Sequence, residues 1–118
     1  MKYEMISAVE TLIEKIKSDY YDYTSRHGTH ELTEINKSMI EEFNEGLGYT
    51  VGKKYIKITV RNGGSVWGFV VAGEDKKFDE GDILKAAGWS TPARNKARGN
   101  ILDGDFSWIR WTGPEYLR

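Results

Sequence analysis

The chain has 118 residues and a mass of 13.5 kDa. That is the length of one domain, with a core large enough to fold without a disulfide or metal staple. Cysteine is absent, which excludes a disulfide scaffold, a thiolate metal site and a thiol nucleophile. The 17 Lys/Arg against 18 Asp/Glu leave a formal net charge of −1, unlike a general nucleic-acid binder.

With 30% charged and 39% hydrophobic residues, the composition is that of a folded domain. No apolar run reaches the roughly 18–20 residues that cross a bilayer. Met1-Lys2-Tyr3-Glu4 does not read as the start of a signal peptide, so an intracellular protein is expected. The charge is uneven. Residues 1–50 hold 5 Lys/Arg and 10 Asp/Glu, a net −5, whereas residues 51–118 hold 12 and 8, a net +4. All four tryptophans and ten of the thirteen glycines fall in the second part. The first part has a helical composition and the second that of a sheet.

In chain order, Met5, Ile6, Val9, Leu12, Ile13, Ile16 and Tyr20 recur at three- and four-residue spacing, which predicts an amphipathic helix over 3–24. Arg26-His27-Gly28-Thr29 breaks it. Leu32, Ile35, Met39, Phe43 and Leu47 form a second stripe, with Gly46 as a left-handed terminator. Tyr20, Tyr21 and Tyr23 point to more than one helix face. A partner chain or the sheet takes some of them, or they are scattered exposed tyrosines. From Tyr55 the period becomes two: Ile56, Ile58 and Val60 share one face. Asn62-Gly63-Gly64 supplies a tight turn, and parity over the return strand, Ser65 to Val71, puts Trp67 and Phe69 on that same face. Gly68 leaves a gap that admits another backbone or a ligand.

Glu80-Gly81-Asp82 reads as a turn and Ile83 to Ala87 as a short helix closed by Gly88. Thr91 and Pro92 read as the N-cap and first position of another helix, closed by Gly99. Asn100 to Leu102 and Phe106 to Trp111 read as strands around Asp103-Gly104, and Gly113-Pro114 as a stop. The expectation is one domain over 1–118, helical over 1–47 and mainly β over 48–118. Its class is α+β: N-terminal helices packed on a twisted antiparallel sheet, with a short helical insert near 82–98.

The chemistry is narrow. His27 and His30 share one polar loop without a third ligand in spacing. The glycines at 46, 48 and 52 before Lys53 fit neither phosphate-loop motif. There is no Gly-x-Ser-x-Gly elbow, and the acid pairs Glu41-Glu42 and Glu74-Asp75 read as solvated. No enzyme, metal or cofactor is expected. What remains lies between Trp89 and Asn100. A helix N-terminus at Thr91-Pro92 would offer free N–H groups. Arg94 and Arg98, one turn apart, would clamp phosphate oxygens. Trp89 would stack on a base, with Asn95 and Asn100 reading its edge. The same stretch also reads as a solvated basic helix. On the last strand, Phe106, Trp108 and Arg110 alternate with Ser107, Ile109 and Trp111. Arg61, next to the hairpin turn, is a further cation for a phosphate or for solvent.

Five blocks carry a resemblance: Tyr55-Ile-Lys-Ile; Gly64-Ser-Val-Trp-Gly-Phe-Val; Phe78-Asp-Glu-Gly-Asp-Ile-Leu-Lys-Ala-Ala-Gly-Trp; Pro92-Ala-Arg-Asn-Lys-Ala-Arg-Gly-Asn-Ile; and Trp111-Thr-Gly-Pro-Glu-Tyr-Leu. Over about residues 53–117 the chain resembles the first type of phage Thoeris anti-defence protein. The likeness implies a sponge that sequesters glycocyclic ADP-ribose without cleaving it. Some members also hold cyclic trinucleotides between subunits. It further implies a homo-oligomer, dimer or hexamer, in the cytoplasm of the infected host, with no membrane partner. In that setting Phe78 or Trp89 would stack on adenine, and Asn95 and Asn100 would contact base or ribose. Arg94, Arg98 and Arg110 would neutralise phosphates. The rival expectations are a nucleic-acid-binding module and a protein-interaction module.

Overall fold

A computed structural model describes residues 3–26, 28 and 31–116. Helix α1 spans Tyr3–Ser25 and α2 spans Glu34–Gly46. Strands β1 (Gly48–Val51), β2 (Tyr55–Val60), β3 (Ser65–Val71) and β4 (Ile83–Lys85) form one antiparallel sheet in chain order. β5 (Ile109–Arg110) and β6 (Gly113–Pro114) form a separate two-stranded ladder. Two helices on an antiparallel sheet make the α+β class expected from the sequence. No helix among the described residues is long and apolar enough to cross a membrane.

The helices follow their stripes. Met5, Val9, Leu12 and Ile16 of α1 are buried in one cluster with Ile56, Ile58, Trp67, Val70 and Ile83 of the sheet. α2 begins in a capping box: the Asn36 N–H donates to Thr33 Oγ1 at 3.1 Å and the Thr33 N–H to Asn36 Oδ1 at 3.3 Å. It ends without the left-handed glycine expected at 46, since Leu47 is the C-cap and is extended. Gly46 serves close approach instead. A Cβ there would stand 3.0 Å from the Arg61 backbone nitrogen, and the Asn62 N–H donates to the Gly46 carbonyl. Arg61 and Asn62 themselves take positive φ, both 54°, so the hairpin loop is four residues long, between the paired Val60 and Ser65.

A β-bulge corrects the expected side-chain parity. Ile58 pairs with Gly68 but Thr59 pairs with Val66, leaving Trp67 as the extra residue. Trp67 therefore joins the α1-facing core, while Phe69 opposes Lys57 and faces the other way. There Phe69, Val71, Leu84 and Phe78 form a second buried cluster, flanked by Tyr55, Val66, Ala86 and Ala97. The sheet is thus covered on both faces.

That double burial also overturns the helical insert at 82–98. Ile83 belongs to the first cluster and Leu84 to the second, so the two residues must point to opposite faces, as only a strand allows. β4 pairs with β3 instead of coiling. Thr91-Pro92 starts no helix either. Ala86 bridges Pro92, and the Ala87 and Gly88 N–H groups donate to the Thr91 carbonyl, so the segment folds back along β4. The turn expected at Asp103-Gly104 forms, with Asn100 and Asp105 exchanging backbone hydrogen bonds of 3.1 and 2.9 Å, but it takes in 101–102, where a strand was expected, and the strand expected over 106–111 is confined to Ile109–Arg110. Gly113-Pro114 extends pairing where a stop was expected.

The gap at Gly68 is filled by the chain itself. A Cβ there would lie 3.0 Å from the Leu84 carbonyl oxygen and 3.1 Å from Pro114 Cγ. Trp67 Nε1 donates to the Arg110 carbonyl at 2.7 Å, and Lys85 Nζ donates to the Pro114 carbonyl at 2.8 Å. These contacts fasten the β5–β6 ladder to the sheet. Trp67→Phe keeps the ring but leaves the Arg110 carbonyl without its donor, and should cost about 1–3 kcal/mol in denaturant unfolding. An unchanged midpoint would show that this bond does not anchor the ladder.

Candidate functional site

A concavity sits where α1, α2, the β2–β3 hairpin and the Trp111-Thr112 turn meet. It has a volume of about 550 Å³, within the roughly 300–1,000 Å³ of small-molecule sites. Tyr20, Phe43, Trp67 and Trp111 line it, with Arg61, Ser65, Thr112 and Glu42 supplying polar groups. Three of these rings, Tyr20, Phe43 and Trp111, form a continuous cluster. Tyr20 stacks on Phe43 at 4.2 Å, and Trp111 meets Tyr20 edge-on at 4.9 Å and Phe43 at 5.9 Å. Each lining residue is set by a local reason. Tyr20 continues the buried stripe of α1; Trp67 is turned in by the bulge. Trp111 is held from α1, because its backbone N–H donates to Asp19 Oδ2 at 2.8 Å. Arg61 stands in the positive-φ hairpin loop at the mouth.

Chemically, this is a planar-ring site with one cation and one carboxylate at its edge. Aromatic faces accept a stacked base; Arg61 suits a phosphate and Glu42 suits a hydroxyl donor. Of the residues that the sequence singled out for ligand binding, only Arg61 lines this groove.

The others have partners elsewhere. Arg94 grips Asp75 in two-pronged fashion, with Nη1–Oδ2 and Nη2–Oδ1 both 2.9 Å. It also donates to the Tyr55 hydroxyl and lies 5.1 Å from the centre of the Phe78 ring. Phe78 itself is buried in the second core cluster. Asn95 Oδ1 accepts from Arg98 Nη1 at 3.0 Å. Arg98 is only 2% exposed, and its Nη1 also donates to the Lys96 carbonyl. Asn100 is a loop bracket: its amide nitrogen donates to the Glu80 carbonyl and Asp82, and its oxygen accepts from the Leu102 and Asp103 N–H groups. Trp89 is 55% exposed at the tip of the folded-back segment, with Lys57 Nζ over its ring at 4.6 Å. Arg110 pairs with Glu115 at 3.3 Å.

Electrostatics follow these contacts. The hydrogen bonds from Arg94, and then from the Lys77 and Phe78 backbone, hold the Asp75 carboxyl well below the usual carboxylate range. Asp75 in turn raises Arg94. Burial lowers Arg98, and burial together with the Arg98 charge lowers Lys85. Among the described residues no cluster of three metal-ligating side chains occurs; His27 and His30 lie outside the described residues.

Sequence reading missed Tyr20, Phe43, Trp67 and Trp111 as one site. Its available signal was the placement of aromatic residues near the ends of both helical stripes, which must meet if the helices form a hairpin.

A family model described as a family of unknown function, DUF7717, matches residues 1–113. No curated protein and no solved structure matches the chain.

Two tests address this architecture. Asp75 has its native pKa depressed, so its contribution is present above the unfolded carboxylate range and is lost as pH falls below about 4. The Tm difference between the wild type and Asp75→Asn should shrink from pH 6 to pH 2; a constant difference would remove the Arg94–Asp75 pair from stability. Asp19→Ala should cost about 1.5–3 kcal/mol and shift tryptophan fluorescence, because Trp111 loses its anchor. An unshifted spectrum would show that Trp111 is placed without it.

Proposed function

We propose that this chain, a member of DUF7717, captures a small cyclic nucleotide and holds it without cleaving it. The proposed ligand is glycocyclic ADP-ribose, with cyclic trinucleotides as a further class. The proposed setting is a homo-oligomeric phage protein that withdraws an immune signal in the cytoplasm of an infected bacterium. The ligand's identity rests on the resemblance to Thoeris anti-defence proteins.

The observation that supports the physical means of capture is the aromatic groove with Arg61 at its mouth. In this reading adenine enters against Trp111 and Phe43. Arg61 neutralises a phosphate, and Glu42 accepts from a ribose hydroxyl. Such a site binds through stacking and charge-assisted bonds, which require no reacting group on the protein.

A second reading, a protein-interaction module, is favoured by α2. Ile35 is 73% and Met39 45% exposed, and exposed apolar surface of this kind is where partners dock.

A capture-and-release assay separates these readings. The protein is incubated with glycocyclic ADP-ribose and filtered, then heated, and both fractions are assayed for the intact molecule. Loss from the filtrate with intact recovery on heating is expected. Trp111→Ala should weaken capture by about 1–3 kcal/mol, the worth of one stacked base, and Arg61→Ala by a similar amount. A signal that stays in the filtrate overturns the proposal and leaves the interaction module. A signal recovered only as fragments overturns capture without cleavage.

A further inference from the structure

We propose that Arg98 and Lys85 form an oxyanion site of their own, at the junction of β4, the 95–98 loop and β6, which takes a phosphate-type group. The inference stands apart from the aromatic groove, which neither residue lines.

The backbone brings the two cations together. The Arg98 N–H donates to the Ile83 carbonyl at 2.7 Å, and the Ile83 N–H to the Gly99 carbonyl at 3.0 Å, so residue 98 runs beside β4. Ala97 packs in the second core cluster, which turns Arg98 to the opposite face, the one carrying Ile83 and Lys85. Lys85 reaches over β6, its ammonium on the Pro114 carbonyl and 4.0 Å from the centre of the Tyr116 ring.

The remaining hydrogen-bonding capacity points to an anion. Among the described residues, Nη1 makes both hydrogen bonds of the Arg98 side chain, to Asn95 Oδ1 and the Lys96 carbonyl. Nε is buried with no partner. The Nε–Nη2 edge of the guanidinium is the edge that matches two oxygens of a phosphate or carboxylate. No ion pair joins Arg98 or Lys85 to a carboxylate among the described residues, and the neighbouring Glu115 is paired with Arg110. Burying a guanidinium beside an ammonium is unfavourable unless a counter-charge compensates it. An oxyanion would supply that charge and an acceptor for Nε at once. Lys85 is half-buried and Asn95 exposed, whereas Arg98 is enclosed, so an oxyanion reaches its Nε edge only as the 95–98 loop shifts.

Phosphate chemistry reaches such a site as a free ion or carried on a nucleotide, and thermal melts distinguish the two. The wild type, Lys85→Met and Arg98→Met are melted with inorganic pyrophosphate, ADP-ribose or potassium chloride at equal ionic strength. With ligand at ten times its Kd, the wild-type Tm should rise by about 5 °C. Both variants should lose that rise. Without ligand Lys85→Met should melt below the wild type, because the Pro114 carbonyl loses its donor, so each rise is read against the variant's own ligand-free melt. A rise with pyrophosphate assigns the site to free oxyanions; a rise with ADP-ribose alone assigns it to nucleotide-borne phosphate. Both outcomes support the proposal if Lys85→Met abolishes the rise. Where Arg98→Met fails to fold, Lys85→Met decides. No rise with either ligand overturns the proposal. So does a rise that survives in Lys85→Met, and one lost in Trp111→Ala yet retained in Lys85→Met belongs to the groove.

Discussion

One inserted residue organises the molecule. Because Trp67 is the extra residue of a bulge, β3 changes which side chains it gives to each face of the sheet partway along its length. Before the bulge, the hairpin end contributes to the aromatic groove. After it, Phe69 and Val71 build a second core that the Phe78 loop and the folded-back segment must cover. The same residue carries the hydrogen bond to the Arg110 carbonyl, so the β5–β6 ladder depends on it too. Gly68, next in sequence, lets Pro114 approach the sheet more closely than any side chain would permit. Register, second core and ladder position thus share one cause.

Cations are put to different uses along the basic half. Arg94 is committed to Asp75, and that pair, with Lys54 also 3.3 Å from Asp75, ties the loop after β3 to the folded-back segment. Lys57 and Lys96 rest over the rings of Trp89 and Trp108, covering apolar surface while keeping their charge near water. Arg61 stands at a concave aromatic surface, and Arg98 is buried. A stretch rich in Lys and Arg therefore indicates anion chemistry poorly by itself. The informative quantity is whether each cation already has a carboxylate.

Much of the fold was legible in the sequence. Both helices and the β2–β3 hairpin follow from periodicity and turn residues, because each depends on neighbours close in the chain. Segment 83–98 was not legible. Ile83 and Leu84 are buried on opposite faces by partners as distant as Ile16 and Phe78, and local helix signals at Thr91-Pro92 cannot outweigh two cores. The bulge was invisible for the same reason: a strict alternation in β2 says nothing about an extra residue in its partner. The groove is a harder case, since Tyr20, Phe43, Trp67 and Trp111 come from four separate segments. Arg61 was identifiable as a cation beside a turn, but the rings around it were not.

Helix α2 is attached unevenly. Gly46 is its one buried residue, held tightly against the hairpin loop, while Ile35 and Met39 near the other end stay exposed. Phe43 joins the aromatic cluster, so the helix forms one wall of the groove. An element with so little buried surface opens at a lower free energy than the doubly covered sheet. The wall of the groove that α2 supplies is therefore held firmly at its Gly46 end and least firmly at its first turns.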